Sequence, residues 1–106
     1  MSKIDPVIQD FLNRIAALRP RIEKIILFGS RARGDDKPYS DYDILLVVPE
    51  RKQDLVDHLY DAVVDVCIST GRLISLKIFA RDQFERLAAI PTPFMRNVLN
   101  EGIPLG

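Results

Sequence analysis

Asp41 and Asp43, one residue apart, stand at the head of an apolar run, Ile44 to Val48. Successive side chains of a strand point to opposite faces, so these two carboxylates project to the same side. Like charges this close raise each other's pKa, and a cation between them relieves the repulsion. Hard carboxylate oxygens suit Mg²⁺, which takes one or two protein carboxylates and fills the rest of its octahedron with water and substrate phosphate. A second apolar run, Ile25 to Phe28, leads into Gly29-Ser30, where a strand ends and a short helix begins. The free amides of a helix N-terminus attract anions. Carboxylates on one side of a charged loop and phosphate donors on the other read as a site for a metal-bound nucleoside triphosphate.

Each of these residues also has a plainer reading. Gly29 suits a turn, Ser30 a helix N-cap, and Asp41 and Asp43 a solvated strand start. Asp43 resists that explanation most, because it abuts the buried run. Arg31, Arg33 and Lys37 lie in the loop between the two halves. Arginine grips phosphate oxygens in a fork, whereas lysine acts as a point charge, and each could instead pair with Asp35 or Asp36. Arg33 is the preferred phosphate ligand.

The surrounding pattern supplies elements to hold these groups. Ile4, Val7, Ile8, Phe11, Leu12, Ile15 and Leu18 recur at steps of three and four, one face of an amphipathic helix. Asp5-Pro6 would cap and open this helix and Pro20 would close it. Residues 21–28 and 44–48 read as short strands buried on both faces, with a short helix over 30–34 and a polar loop over 35–40 between them. Residues 53–68 read as a long helix, with Leu55, Leu59, Val63, Val66 and Cys67 on a broad apolar face that Val56, Tyr60 and Val64 widen. Asp54, Asp57, Asp61 and Asp65 form a solvated stripe on its other side. His58 is the only histidine and reads as an exposed residue rather than a ligand. Gly71 would stop the helix. A third strand over 73–80 would set Ile74, Leu76 and Ile78 against Ser75, Lys77 and Phe79. Helices over 82–89 and 94–101 follow, the second capped by Thr92 and ended by Gly102. The order is that of an α/β protein with a small mixed β-sheet packed with helices.

Composition narrows the class. At 106 residues the chain reads as a single domain, residues 1–106. Lys plus Arg balances Asp plus Glu at 15 each, so no global field draws it to long nucleic acid or an anionic membrane. Cys67 is the lone cysteine, which excludes an intramolecular disulfide, and its place in the helical pattern suggests packing as a small hydrophobe. No apolar stretch approaches a bilayer span and the first residues lack a signal-peptide pattern, so a cytoplasmic protein is expected.

Gly29-Ser30, the ten-residue spacer Arg31 to Ser40, and Asp41 with Asp43 resemble the signature of the minimal nucleotidyltransferases of the DNA polymerase β superfamily. The likeness spans most of the chain, including the helix before the first strand and the ending Asn100-Glu101-Gly102-Ile103. It implies a polymerase β-like palm. It also implies that Gly29 and Ser30 bind phosphate, that Asp41 and Asp43 hold two Mg²⁺, and that NMP, from ATP, passes to an acceptor hydroxyl with loss of pyrophosphate. ATP or another NTP is thus the implied substrate. The chain lacks the added helical domain with which larger relatives hold their acceptor, so a homodimer or another protein must supply that site. Small members of this family pair as antitoxins with a helical HEPN-type protein, which they modify with AMP.

One departure from the family pattern stands out. Active members carry a third carboxylate on a later strand, yet residues 73–80 contain no Asp or Glu. Ser75 or Lys77 takes the inward position, depending on register. Three outcomes stay open: water replaces the missing ligand and turnover slows, a partner supplies it, or the chain binds nucleotide without catalysis and acts as a binding module.

Overall fold

A computed structural model describes residues 5–34 and 40–106. Ile4 and the spacer residues Asp35, Asp36, Lys37 and Pro38 lie outside the described residues. The elements run α1 (Pro6–Arg14), a 3₁₀ turn (Ala16–Arg21), β1 (Lys24–Phe28), α2 (Ser30–Arg33), β2 (Tyr42–Val48), α3 (Gln53–Thr70), β3 (Ile74–Ala80), α4 (Arg81–Ala88), α5 (Pro93–Glu101) and β4 (Ile103–Pro104). The four-stranded sheet has the order β3-β2-β1-β4. β2 runs antiparallel to β1 and parallel to β3, so the sheet is mixed as expected.

Side-chain alternation divides the apolar residues between two layers. Ile25, Leu27, Ile44, Leu46, Val48, Ile74, Leu76 and Ile78 face α1 and α3, where Phe11, Leu59 and Val66 are fully buried. Ile26, Phe28, Leu45, Val47 and Phe79 face α4 and α5 and meet Phe84, Met95 and Val98. β2 is central and covered on both faces, which is why its sequence is a continuous apolar run. β3 is an edge strand, and its Lys77 is exposed on the α4–α5 face.

Several expectations change at the margins. Pro20 does not close the first helix: α1 stops at Arg14 and Pro20 sits inside the 3₁₀ turn, which needs no N–H from it. Cys67 is exposed, not packed. The buried face of α3 is Leu55, Val56, Leu59, Ala62, Val63 and Val66, and Cys67 falls on its flank with Tyr60, Val64 and Ile68, the last 78% exposed. The sequence pattern made the buried arc too wide. The Tyr60 hydroxyl instead covers the sheet edge, donating to Leu76 O at 3.3 Å, while Arg51 Nε donates to Ile78 O at 3.2 Å. Side chains thereby occupy two outward carbonyls of an edge strand.

β4 was not expected from the pattern. Gly102 lets the chain fold back from α5 onto β1, since a Cβ there would collide with Val98 O and with Ile26. Leu27 then pairs with Ile103, and Leu105 N–H donates to Ile25 O at 2.8 Å. No helix among the described residues is long and apolar enough to cross a membrane.

Asp5 links α1 to the carboxylate-bearing strand. Its Oδ1 accepts from Val7 N–H at 2.8 Å as the expected N-cap, and its Oδ2 accepts from the Tyr42 hydroxyl at 2.8 Å. Asp5→Ala removes both bonds and should lower unfolding free energy by about 2 kcal/mol in urea denaturation. A loss below about 0.5 kcal/mol would show that the link carries no stability.

Candidate active site

The sheet register brings the two halves of the motif together. Phe28 pairs with Asp43 across the antiparallel β1–β2 ladder, which puts Gly29, the next residue, beside the Asp43 side chain. The approach is so close that a Cβ on Gly29 would overlap Asp43 Oδ2. Gly29 also has φ +77°, which glycine adopts without steric cost. Two independent constraints thus require glycine here. Gly29, not Ser30, is the N-cap of α2, and Ser30 is its first residue. The plain N-cap reading of Ser30 therefore does not apply.

Asp43 lies on β2 and is half-buried, while Asp41 precedes the strand and is exposed. Burial pushes the Asp43 carboxyl above the usual carboxylate range, and the negative charge of Asp41 pushes it further. The Lys77 and Arg33 charges pull the other way. Asp43 therefore senses the charge of Asp41, as side chains on one strand face should.

Arg33 and Arg31 have different surroundings. Arg33 Nη1 lies 3.3 Å from Glu101 Oε2, tying the end of α2 to the end of α5. The expected alternatives Asp35 and Asp36 lie outside the described residues. Arg31 turns to the opposite side: its guanidinium lies 3.9 Å from the centroid of the Tyr42 ring, and its Nε and Nη2 donate to Ser40 O at 3.1 and 2.9 Å. It braces the backbone that leads into Asp41. Tyr42, fixed between Arg31 and Asp5, is buried away from water, which with the Asp5 contact pushes its phenol up to about 12. Sequence reasoning missed this brace because Asp5 and Tyr42 are 37 residues apart. The only signal in the chain was a tyrosine between the two aspartates.

The register also decides which β3 residues face this site. Ser75 pairs with Asp43 and Lys77 with Leu45, so both lie on the face that carries Asp43. Among the described residues, no group of three or more His, Cys, Asp or Glu side chains is placed to hold a metal ion. Two carboxylates of this kind fit one hard cation that completes its shell with water and phosphate.

The fold is that of a nucleotidyltransferase, and the family model for the nucleotidyltransferase domain matches residues 8–99. The chain belongs to that family and is a nucleotidyltransferase. A relative from Methanocaldococcus jannaschii, named as a "putative protein adenylyltransferase", is 38% identical over 103 residues, covering 92% of this chain and 93% of its own. Among solved structures, a chain described as "the toxin-antitoxin with AMP-PNP" superposes with a TM-score of 0.63 at 17% identity, covering 92% of this chain and 71% of that one. A second, described as a tri-AMPylated Shewanella oneidensis HEPN toxin in complex with MNT antitoxin, gives 0.54 at 17% identity, covering 94% and 71%. These two likenesses establish the shared fold.

The raised Asp43 pKa predicts a pH dependence. Because the folded value lies above the unfolded one, the charged carboxylate costs stability at neutral pH. That cost is relieved as pH falls through the raised value toward the ordinary range near about 4. With chelator present, Asp43→Asn should therefore melt higher than the parent at neutral pH, and the difference should shrink on acidification. A variant that melts lower at neutral pH would contradict this. Gly29→Ala should abolish the close approach of Asp43 and lower the melting temperature by several degrees, as expected for a strained positive-φ position.

Proposed function

We propose that the whole chain, residues 1–106, works as one nucleotidyltransferase domain that passes AMP from ATP to a hydroxyl on a partner protein. Asp41 and Asp43 hold Mg²⁺, and Gly29 and Ser30 lie against the phosphates, with Arg33 reaching them from the end of α2. The carrying observation is the Asp43 carboxylate pressed against Gly29 and within the field of Asp41. When bound, the cation would neutralise phosphate charge and polarise the phosphoryl oxygens.

The chain's own residues orient the reactants. The Arg31–Tyr42–Asp5 brace fixes the backbone ahead of Asp41, and the bare Gly29 backbone lets the Asp43 carboxylate sit against the turn that would receive the phosphates. Transfer forms a bond between the acceptor oxygen and the α-phosphorus, breaks the bond to pyrophosphate and releases the hydroxyl proton. β3 carries no Asp or Glu to take that proton, so it passes to water and turnover is slow. This same feature favours the second reading, a nucleotide-binding antitoxin that acts by holding its partner.

Three things support a protein acceptor and ATP: the relative's name as a protein adenylyltransferase, and the AMPylated HEPN toxin and AMP-PNP in the two structural descriptions. The flank of α3 offers a surface for such a partner, because Tyr60, Val64 and Ile68 are exposed apolar residues at steps of four. The protein is expected to work in the cytoplasm, where ATP and Mg²⁺ are both at hand.

Intact-mass measurement tests the assignment. The purified chain, Mg²⁺, ATP and a HEPN-type partner protein should yield an AMP adduct on that partner. Asp43→Asn should slow its formation about a hundredfold or more, on the order of 3 kcal/mol of transition-state stabilisation. An adduct that forms at the parent rate in the variant refutes the metal role. Tight complex formation without any adduct decides for the binding module.

A further inference from the structure

We infer that Glu101 is a positioning residue: its carboxylate draws Arg33 to the β4 side of the Gly29–Ser30 turn, so that the guanidinium meets the incoming triphosphate instead of closing onto Asp41 and Asp43. The inference rests on the proposed roles of Arg33 as a phosphate ligand and of the two aspartates as metal ligands. It adds to them a residue from the far end of the chain.

Sheet order carries the first part of the argument. β1 lies between β2 and β4, so the turn that leaves its end has a neighbouring strand on each side. On the β2 side, Phe28 pairs with Asp43, whose carboxylate presses against Gly29. On the β4 side, Leu27 pairs with Ile103 in an antiparallel ladder. Two residues onward from Leu27 stands Gly29 and two residues back from Ile103 stands Glu101, so the same rung leads Glu101 back toward the turn. Gly102, between Glu101 and Ile103, has no room for a Cβ against Val98 O and Ile26, which fixes the backbone at that step. Acidic residues therefore flank the turn from both neighbouring strands.

Arg33 stands between them. Its backbone N–H donates to Gly29 O at 3.1 Å, which roots it on the turn. Its charge acts on Asp43, yet its Nη1 lies 3.3 Å from Glu101 Oε2. That choice matters chemically. An arginine fork matches a carboxylate as well as a phosphate, so an arginine beside two aspartates can bind them and shut out a cation. A carboxylate on the opposite side of the turn holds it off. Both side chains of the pair are more than a third exposed, and such pairs contribute little to stability. The benefit lies in direction: a planar guanidinium held at one nitrogen is already aimed, which spares part of the cost of ordering a long side chain when phosphate binds.

Calorimetry on the full chain with AMP-PNP and Mg²⁺ at about 0.15 M salt tests this. Neutralising Glu101 also removes a negative charge that repels triphosphate, but at that salt such repulsion is screened beyond about 8 Å. Glu101→Gln should weaken AMP-PNP binding roughly fivefold and shift the melting temperature by less than about 2 °C. Arg33→Gln should weaken binding roughly twentyfold or more. Adding Glu101→Gln to Arg33→Gln should cost no further affinity, whereas a merely structural role would weaken binding in both backgrounds. Unchanged or tighter binding by Glu101→Gln, or an equal loss in both backgrounds, overturns the inference. If Arg33→Gln alone still binds weakly in that event, the nucleotide site stands and only the role of Glu101 falls. Should Arg33→Gln bind as the parent does, or the parent not bind at all, the proposed phosphate ligands are wrong and the inference falls with them.

Discussion

The structure depends on one close contact, the Asp43 carboxylate lying against the backbone of Gly29. A half-buried acid beside a second acid is an unfavourable arrangement, and burial alone already raises its pKa. The contact persists because the sheet leaves no alternative. Phe28 and Asp43 are paired at the end of a ladder whose other rungs, from Leu27–Ile44 down to Lys24–Val47, are fixed by cores on both faces. Sliding the register by one residue would turn every buried side chain of β2 to the wrong layer. Packing far from the site thereby holds a charge where water alone would not keep it.

Cations around that carboxylate are arranged in two ways. Arg31 faces away from it, spending its guanidinium on Ser40 O and the Tyr42 ring, and so stiffens the approach to Asp41. Arg33 and Lys77 act on Asp43 by charge. Glu101 anchors Arg33 to the last helix, whose Gly102 then returns the chain to β1 as a fourth strand. The chain's final residues are therefore tied into the same sheet that carries the aspartates. The Asn100-Glu101-Gly102-Ile103 ending gains a physical reason: an ion-pair partner, a turn that excludes a Cβ, and an edge strand.

The outer surface follows a different logic. β3 is an edge, and its outward carbonyls at Leu76 and Ile78 are taken by Tyr60 and Arg51. Strand-to-strand association along that edge is thereby discouraged. The neighbouring flank of α3 stays apolar through Tyr60, Val64 and Ile68. A buried arc read from spacing had merged this flank with the core, although only the inner side of α3 meets β2 and β3.

Local chemistry made much of this readable from the chain alone. The Gly29-Ser30 corner, the i, i+2 spacing of Asp41 and Asp43, the continuous apolar run of β2, the caps Asp5 and Thr92 and the alternation of β3 each follow from short-range geometry. So does the absence of an acid from residues 73–80, because a missing residue type needs no coordinates. Long-range pairing had to decide the rest. The β1–β2 register set the distance between Gly29 and Asp43, and the β2–β3 register set Ser75 and Lys77 on the aspartate face. Chain reversal at Gly102 created a two-residue strand too short to show any period. The Asp5–Tyr42 bond and the Arg33–Glu101 pair join residues that no spacing rule connects, so they exist only once two cores have folded around one sheet.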